Sequence, residues 1–169
     1  LPGLGRVMIH YWISDPKATK MVVYWNSRED SILTDIPNSP NTEPKELLIA
    51  DLNEALYYFE LITMNSEFKN RSIPLEVPGR VYGPKFQKTL LDRDMKYATF
   101  KAADTVFIQF FNPPEYYCQS EISYTDDLGN QVTTFIGVDE SSVILEGYKE
   151  NLKYRTLFVP EEATLDTLK

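Results

Sequence analysis

The sequence has only one cysteine, Cys118, and only one histidine, His10, among its 169 residues. A single cysteine excludes an intramolecular disulfide, and with it the small secreted domains that depend on disulfides for their stability. One histidine and one cysteine also supply too few ligands for a typical zinc site. A cysteine nucleophile needs a histidine partner, and His10 lies in a distant part of the chain. We therefore expect no metal and no other cofactor.

Positive charge and long apolar runs are also scarce. Lys and Arg number 17 against 25 Asp and Glu, which gives a net charge of −8. Because nucleic acids and anionic membranes attract basic surfaces, this balance argues against both partners. No run approaches the roughly 18 apolar residues of a membrane-spanning helix. We predict no nucleic-acid partner and no direct membrane contact for these residues.

Aromatic residues, in contrast, are abundant, with 11 Tyr, 9 Phe and 2 Trp. Such residues favour strands, and most of them lie in short runs of alternating polarity bounded by Pro, Asn, Asp or Ser. The length suits two β-sandwiches of about 80 to 90 residues each, and each would bury a core without disulfides. The composition therefore predicts an all-β protein.

A repeat with a period of about 100 residues indicates how these strands are organised. Two sets of apolar residues recur with the same spacing: Val7, Ile9, Tyr11, Val23 and Trp25, then Val106, Ile108, Phe110, Ile122 and Tyr124. The match of the first three residues in each set predicts that these residues face a core. We predict two tandem immunoglobulin-like or fibronectin type III-like β-sandwiches. The first covers residues 1–83, a connection covers 84–94, and the second sandwich covers 95–169.

Charged residues predict which side of each strand faces a core. Glu60 is unsuited to an apolar interior. The alternation therefore turns Tyr57, Phe59 and Leu61 inward, and Tyr58, Glu60 and Ile62 outward. In the second repeat the same argument turns Tyr154 inward. Tyr57 and Tyr154 each follow a turn, which is the position of the tyrosine corner in immunoglobulin-like sandwiches.

Catalytic and metal-binding patterns give little support for an enzyme. Adjacent acids such as Asp126–Asp127 point to opposite faces of a strand or are solvated in a turn. The segment Asp126–Asn130 is typical of a tight hairpin with Gly129 in the left-handed region, and a cation site there is the weaker alternative. The sequence contains no glycine-rich phosphate loop and no nucleophile elbow. We predict a protein that is not an enzyme.

An ordered series of short segments spans nearly the whole chain. It comprises Arg6–Tyr11, Ser14–Pro16, Val23–Asn26, Leu52–Glu60, Gly79–Gly83, Tyr154–Glu161 and Leu165–Thr167. This series resembles a Bacteroidetes cell-surface lipoprotein family of unknown function. The resemblance implies tandem fibronectin type III-like domains, export, lipid attachment at an upstream cysteine and a place in polysaccharide utilisation. It supplies no catalytic residues. Members of that family usually carry a strand before Pro2–Gly3, which implies that one edge of the first sandwich is open or is completed by another chain.

Three tripeptides resemble the Asp-Ser/Thr-aliphatic acceptor sites of Bacteroidetes protein O-glycosylation. They are Asp30-Ser31-Ile32, Asp104-Thr105-Val106 and Asp166-Thr167-Leu168. The resemblance implies modification at Ser31, Thr105 and Thr167. The alternative is that each tripeptide only starts a strand, with Asp as the turn residue.

Outward-facing aromatics are the main indication of function. Rigid rings stack on the apolar C–H faces of sugars, and Trp12, Tyr24 and Tyr58 are the candidates for such contacts. The alternative, which is the commoner case, is that such an aromatic packs against the neighbouring domain or the missing strand. We predict a non-catalytic cell-surface module that binds a polysaccharide or supports glycan-binding proteins as a spacer. The alternative is an adhesin or interaction module that docks a surface protein along its sheet edges.

Overall fold

A computed structural model describes residues 1–37 and 43–169. Strands predominate there, and the one α-helix in these ranges is the four-residue α1 at Pro84–Gln87. The strands are β1 (Gly3–Leu4), β2 (Val7–Tyr11), β3 (Lys20–Trp25), β4 (Asp30–Asp35), β5 (Lys45–Ile49), β6 (Ala55–Met64), β7 (Leu75–Tyr82), β8 (Met95–Ala102), β9 (Thr105–Phe110), β10 (Tyr117–Asp126), β11 (Gln131–Ile136), β12 (Ser142–Leu145) and β13 (Tyr148–Phe158). None of the helical residues in these ranges forms a segment long and apolar enough to cross a membrane. The all-β class predicted from the composition is confirmed.

Three prolines within residues 37–44 predict a loop there, and residues 38–42 of that segment lie outside the described residues. The segment Thr164–Leu168, a candidate final strand in the sequence, forms no strand, and Leu168 makes a single antiparallel bridge with Phe158. Two backbone hydrogen bonds hold that bridge, and the Leu168 side chain is buried.

The described residues divide into two compact units, Leu1–Lys85 and Phe86–Lys169. In the first unit, five strands form one sheet in the order β1-β7-β6-β3-β4, and β2 pairs with β5 in a second sheet. Within residues 1–37 and 43–169, the outer side of β7 is paired only with the two-residue β1, at Val81 and Tyr82. Pro78 therefore lies where β7 is a free edge, as its missing N–H requires.

The core of the first unit lies between these two sheets. The buried members from the small sheet are Val7, Ile9, Tyr11 and Ile49, and those from the large sheet are Met21, Val23, Tyr57, Phe59, Leu61 and Val81. The predicted inward faces of β2 and β6 are thus confirmed. Gly79 of β7 is required here because an added Cβ would stand 2.8 Å from a ring carbon of Phe59.

Tyr57 forms the predicted tyrosine corner. Its hydroxyl donates a hydrogen bond of 3.1 Å to the carbonyl of Asn53, four residues upstream. The corner predicted for Tyr154 is wrong. The Tyr154 hydroxyl donates instead to the carbonyl of Arg93, 61 residues away in sequence, and 37% of the residue is exposed.

The second unit is a sandwich of two three-stranded sheets, β12-β9-β8 and β11-β10-β13. Its first, second and fifth strands form one sheet and the other three form the second, a division typical of immunoglobulin-like sandwiches. The core between them contains Val106, Ile108, Phe110, Ile122, Tyr124, Ile136 and Leu145. The repeat identified in the sequence therefore corresponds to two separate apolar cores.

Arg93 is a buried cation within the second unit, with 1% of its surface exposed. Its guanidinium donates to the carbonyls of Phe111 and Glu140, at 2.9 and 2.8 Å, and to the Tyr117 hydroxyl at 3.1 Å. The same guanidinium lies over the rings of Phe110 and Tyr117. Carbonyl dipoles and aromatic faces compensate for its desolvation. No local sequence pattern indicated this role.

Candidate functional site

A groove of about 520 Å³ opens on the outer face of the five-stranded sheet in the first unit. Its walls come from β3, β6 and β7 and from the turn that follows β3. The lining residues are Tyr24, Trp25, Asn26, Ser27, Arg28, Ala55, Leu56, Tyr57, Tyr58, Glu60 and Glu76. Aromatic rings and charged groups therefore meet in one concave surface.

The strand register brings these side chains together. Tyr24 of β3 pairs with Glu60 of β6, and Glu60 in turn pairs with Glu76 of β7. Cross-strand partners point to the same side of a sheet, so the three side chains form a row across its outer face. Tyr58 stands two residues from Glu60 on the same side, and 56% of it is exposed.

Arg28 closes one side of the groove. Its Nε donates to Oε2 of Glu60 at 2.8 Å, and its Nη2 donates to Oε1. The guanidinium carbon also lies 5.4 Å from the centre of the Tyr24 ring. Hydrogen bonding to Arg28 is the main cause that holds the pKa of Glu60 below its ordinary value of 4.5, and the same bond raises the pKa of Arg28. Both groups are thus charged at neutral pH.

The backbone before Arg28 has an unusual conformation. Asn26, Ser27 and Arg28 have φ angles of 50°, 56° and 67°, so three consecutive residues with side chains occupy the left-handed region. That region is unfavourable for such residues. The Asn26 side chain braces the turn by donating to the carboxylate of Asp30 at 2.6 Å. The turn joins β3 to its antiparallel neighbour β4, and strained segments of this kind are often found at functional sites.

The outer face beyond the groove is more buried than the alternation predicts. Ile62 faces outward, as the alternation predicts, yet only 6% of it is exposed. It packs with Val22 and Met64 in a second apolar cluster, and Tyr24 lies against that cluster. The cluster packs against the Tyr24 ring on the side away from Tyr58 and so restricts the movement of that ring.

The structure separates the three aromatics that the sequence singled out. Tyr24 and Tyr58 line the groove, and each contributes to its aromatic surface. Trp12 follows β2, in the other sheet of the same unit, and does not line the groove, although 61% of it is exposed. The sequence contained no signal for Arg28 or Glu76, because their place in the groove depends on a turn conformation and on strand register.

The three Ser/Thr residues of the acceptor-like tripeptides differ in their surroundings. Ser31 is exposed on the edge strand β4 and pairs with Tyr24 of β3. Thr105 is partly buried, and its hydroxyl donates to Oδ1 of Asp104 at 3.1 Å. Thr167 is exposed near the end of the second unit. A glycan on Ser31 would lie beside the groove.

Metal-binding chemistry has little support in the described residues. In residues 1–37 and 43–169, no three His, Cys, Asp or Glu side chains are grouped so that they could hold a metal ion. The carboxylate of Asp126 accepts hydrogen bonds from the N–H groups of Leu128 and Asn130 and from the Asn130 side chain. Gly129 has a φ of 87°, as a tight hairpin requires. The Asp126 carboxylate therefore stabilises the hairpin turn.

Comparison with known proteins gives a family and distant structural relatives. A crystal structure of the FN1–FN3 domains of chicken CNTN1 has a TM-score of 0.48 and 13% identity, and the match covers 92% of this chain and 54% of that one. This chain thus spans about half the length of that protein's chain. A segment of two fibronectin type III domains from chicken tenascin has a TM-score of 0.36 and 10% identity, with 99% of this chain and 90% of that one covered.

A search of curated proteins finds no match. A family model described as a domain of unknown function, DUF4998, matches residues 1–168, and the chain therefore belongs to the DUF4998 family.

Proposed function

We propose that this protein is a non-catalytic binding module and that the groove of the first unit takes a neutral carbohydrate. The observation that carries this proposal is the meeting of Tyr24 and Tyr58 with Arg28, Glu60 and Glu76 in one groove. Sugars need an apolar surface for their C–H faces and charged or polar groups for their hydroxyls. The groove offers both kinds of surface.

Each lining group has a role in this proposal. The exposed ring of Tyr58 is the platform on which a sugar ring stacks. The Glu76 carboxylate is exposed and accepts hydrogen bonds from sugar hydroxyls. Arg28 is fixed by Glu60, so its remaining N–H groups are oriented before the ligand arrives. This orientation reduces the entropy that binding costs.

The charge of the groove favours neutral sugars. Two carboxylates, Glu60 and Glu76, face one guanidinium, Arg28, so the lining has a net negative charge. An anionic sugar would meet the unbalanced carboxylate of Glu76 at close range. Neutral hydroxyl-rich polysaccharides carry no such penalty.

Affinity electrophoresis against a panel of neutral polysaccharides, followed by calorimetry, tests the proposal. The wild-type protein is expected to bind at least one of them. Tyr58→Ala removes the stacking platform and is expected to weaken binding by about tenfold, the typical worth of one aromatic contact. Phe135→Ala is the matched control, because Phe135 is similarly exposed (50%) but lies on β11 of the second unit.

Trp12→Ala serves as the second control in the same unit, since Trp12 lies outside the groove. The proposal fails if no neutral polysaccharide binds, or if Tyr58→Ala binds as tightly as the wild type. Loss of binding in Trp12→Ala alone would place the sugar site at the other sheet.

A second candidate function is protein docking along the edge of β2. Within the described residues, β2 pairs along its length with β5 alone, whereas β9 of the second unit pairs with both β12 and β8. Pro2 bridges to Val7, and Met8 exchanges hydrogen bonds with Leu1, so the start of this edge is covered. Successive residues of a strand direct their N–H and C=O groups to opposite sides, so the backbone N–H and C=O of His10 point away from β5, as those of Met8 do. These two groups are the ones that a partner strand would bond.

His10→Pro tests this candidate function because it removes the backbone N–H of His10. The substitution is expected to abolish capture of a protein partner that the wild type retains.

For the cellular location, we propose export and anchoring at the cell surface. The support is the resemblance to a Bacteroidetes surface lipoprotein family, together with a sandwich fold of a kind common among cell-surface domains. Protease treatment of intact cells that produce the protein tests this proposal. We expect cleavage without lysis, and full protection of the protein would contradict a surface location.

A further inference from the structure

A second exposed surface lies in the other unit, on the outer face of the sheet β12-β9-β8. Its side chains include Tyr97, Phe111 and Ile144, which are 48%, 53% and 57% exposed. Phe107 stands between them, because it pairs with Ile144 on one side and its ring centre is 6.0 Å from that of Tyr97 on the other. We call this surface, together with Lys96 and Lys101, the lysine–aromatic face.

The charge of this face differs from that of the whole protein. Within β8, β9 and β12, all of which belong to the described part of the chain, no residue is Asp or Glu. The charged residues of these strands are two lysines, in a protein with a net charge of −8. Asp94, Asp104 and Glu146 flank the strands at their ends. An acid-free strip that carries cations on an acidic protein is complementary to an anionic ligand.

Each lysine is placed next to an aromatic ring. The ammonium of Lys101 lies 5.1 Å from the centre of the Phe107 ring, and that of Lys96 lies 5.9 Å from the centre of the Phe111 ring. Phe107 and Phe111 are four residues apart on one face of the chain, so the two pairs lie about 13 Å apart along the strand direction. The face therefore repeats one unit, an apolar ring beside a cation.

We propose that the lysine–aromatic face binds an acidic polysaccharide, with uronate sugars as the repeating unit. A uronate ring has an apolar C–H face and a carboxylate on the same residue, which matches a ring and an ammonium side by side. In an acidic peptide the carboxylates and the apolar groups belong to different residues. At physiological ionic strength the Debye length is about 8 Å, so acids that lie farther than this from the face repel such a chain only weakly.

This site is separate from the groove of the first unit, and it takes an anionic ligand where the groove favours a neutral one. The two proposals are therefore tested with different ligands. Tyr58→Ala is expected to leave binding of the acidic polysaccharide unchanged. Loss of the two lysines is expected to leave binding of neutral polysaccharides unchanged.

The test is affinity electrophoresis of the full chain in gels that contain polygalacturonate. The matched ligand is polygalacturonate with fully methylated carboxyl groups, which keeps the sugar ring and removes the charge. The double variant Lys96→Gln/Lys101→Gln is compared with Lys149→Gln/Lys153→Gln, which loses the same charge from exposed positions of β13 in the other sheet. Phe111→Ala tests the aromatic contribution, and thermal melting confirms that each variant is folded.

The wild type is expected to be retarded by polygalacturonate and much less by its methyl ester. Lys96→Gln/Lys101→Gln is expected to raise the dissociation constant about tenfold, while the β13 variant keeps the wild-type value. Equal retardation by the methyl ester, or equal loss in both double variants, would overturn the proposal. So would binding of poly-glutamate as tightly as polygalacturonate, because the occupant would then be an acidic peptide.

Discussion

Arg28 donates from both its Nε and its Nη2 to the carboxylate of Glu60, which is 32 residues away along the chain. This two-point contact joins the turn after β3 to the middle of β6. It fixes the guanidinium beside the Tyr24 ring and so defines one wall of the groove. Removal of the Arg28–Glu60 contact therefore tests whether the groove is preformed.

Breaking this contact is expected to weaken ligand binding more than it weakens the fold. Arg28→Ala removes one wall of the groove and leaves the core of the first unit untouched, because the Arg28 side chain is 56% exposed. Calorimetry with a bound polysaccharide is expected to show a clear loss of affinity, while the melting temperature changes little. Arg71→Ala, at an exposed position outside the groove, is the control. A large fall in melting temperature would show that Arg28 acts mainly in stability.

The same contact predicts a pH dependence of stability. The pKa of Glu60 in the folded protein lies below its ordinary value of 4.5, chiefly because Arg28 hydrogen-bonds to it. The stabilisation is therefore complete above that ordinary value and is lost as the pH falls through the lowered pKa. The difference in melting temperature between wild type and Glu60→Gln is expected to shrink from about pH 7 to about pH 3. A difference that does not change with pH would contradict this assignment.

Tyr57→Phe is expected to cost about 1 kcal/mol in the free energy of unfolding, because the Asn53 carbonyl loses its hydrogen-bond donor. Chemical denaturation of the two proteins measures this difference. Tyr154→Phe is the matched substitution in the second unit, where the hydroxyl bonds to the distant Arg93 carbonyl. If Tyr57→Phe leaves the stability unchanged, the tyrosine corner contributes nothing to the first unit.

Arg93→Ala is expected to destabilise the second unit by about 3 to 5 kcal/mol. The substitution leaves the carbonyls of Phe111 and Glu140 without their donor and creates a cavity beside Tyr117. Arg93→Lys keeps the charge but lacks the planar fork, so we expect an intermediate loss. Tryptophan fluorescence would be insensitive here, since both Trp12 and Trp25 lie in the first unit. Hydrogen exchange in β9 and β10 is the appropriate measurement, and unchanged protection would contradict this role.

O-glycosylation at the acceptor-like sites is expected to favour Ser31 and Thr167. Both residues are exposed, whereas Thr105 is partly buried and bonded to Asp104. Intact-mass spectrometry of protein made in a Bacteroidetes host, with Ser31→Ala and Thr167→Ala for comparison, measures occupancy. We expect each substitution to remove the mass of one glycan. An unmodified wild-type mass would show that these tripeptides are only strand starts.

Local sequence patterns were sufficient to predict most of the fold. The alternation of apolar residues predicted the buried faces of β2, β6 and β9 because a strand buries every second side chain regardless of its partner. It placed Ile62 on the outer face correctly but did not indicate that Val22 and Met64 bury it there. It also missed β1, whose two residues are held by parallel pairing with β7, more than 70 residues away. Such pairing leaves no periodic signal in a two-residue segment.

The sequence by itself determined that there are two all-β units, which residues form their cores, and that Tyr24 and Tyr58 face outward. Those properties depend on composition and on side-chain period, which act along the chain. Only the tertiary structure decided that these two tyrosines share a groove with Arg28 and Glu76, while Trp12 lies outside it. The same holds for the burial of Arg93 and for the pairing of lysines with Phe107 and Phe111. These arrangements depend on strand register and on turn geometry, which bring together residues that no local pattern connects.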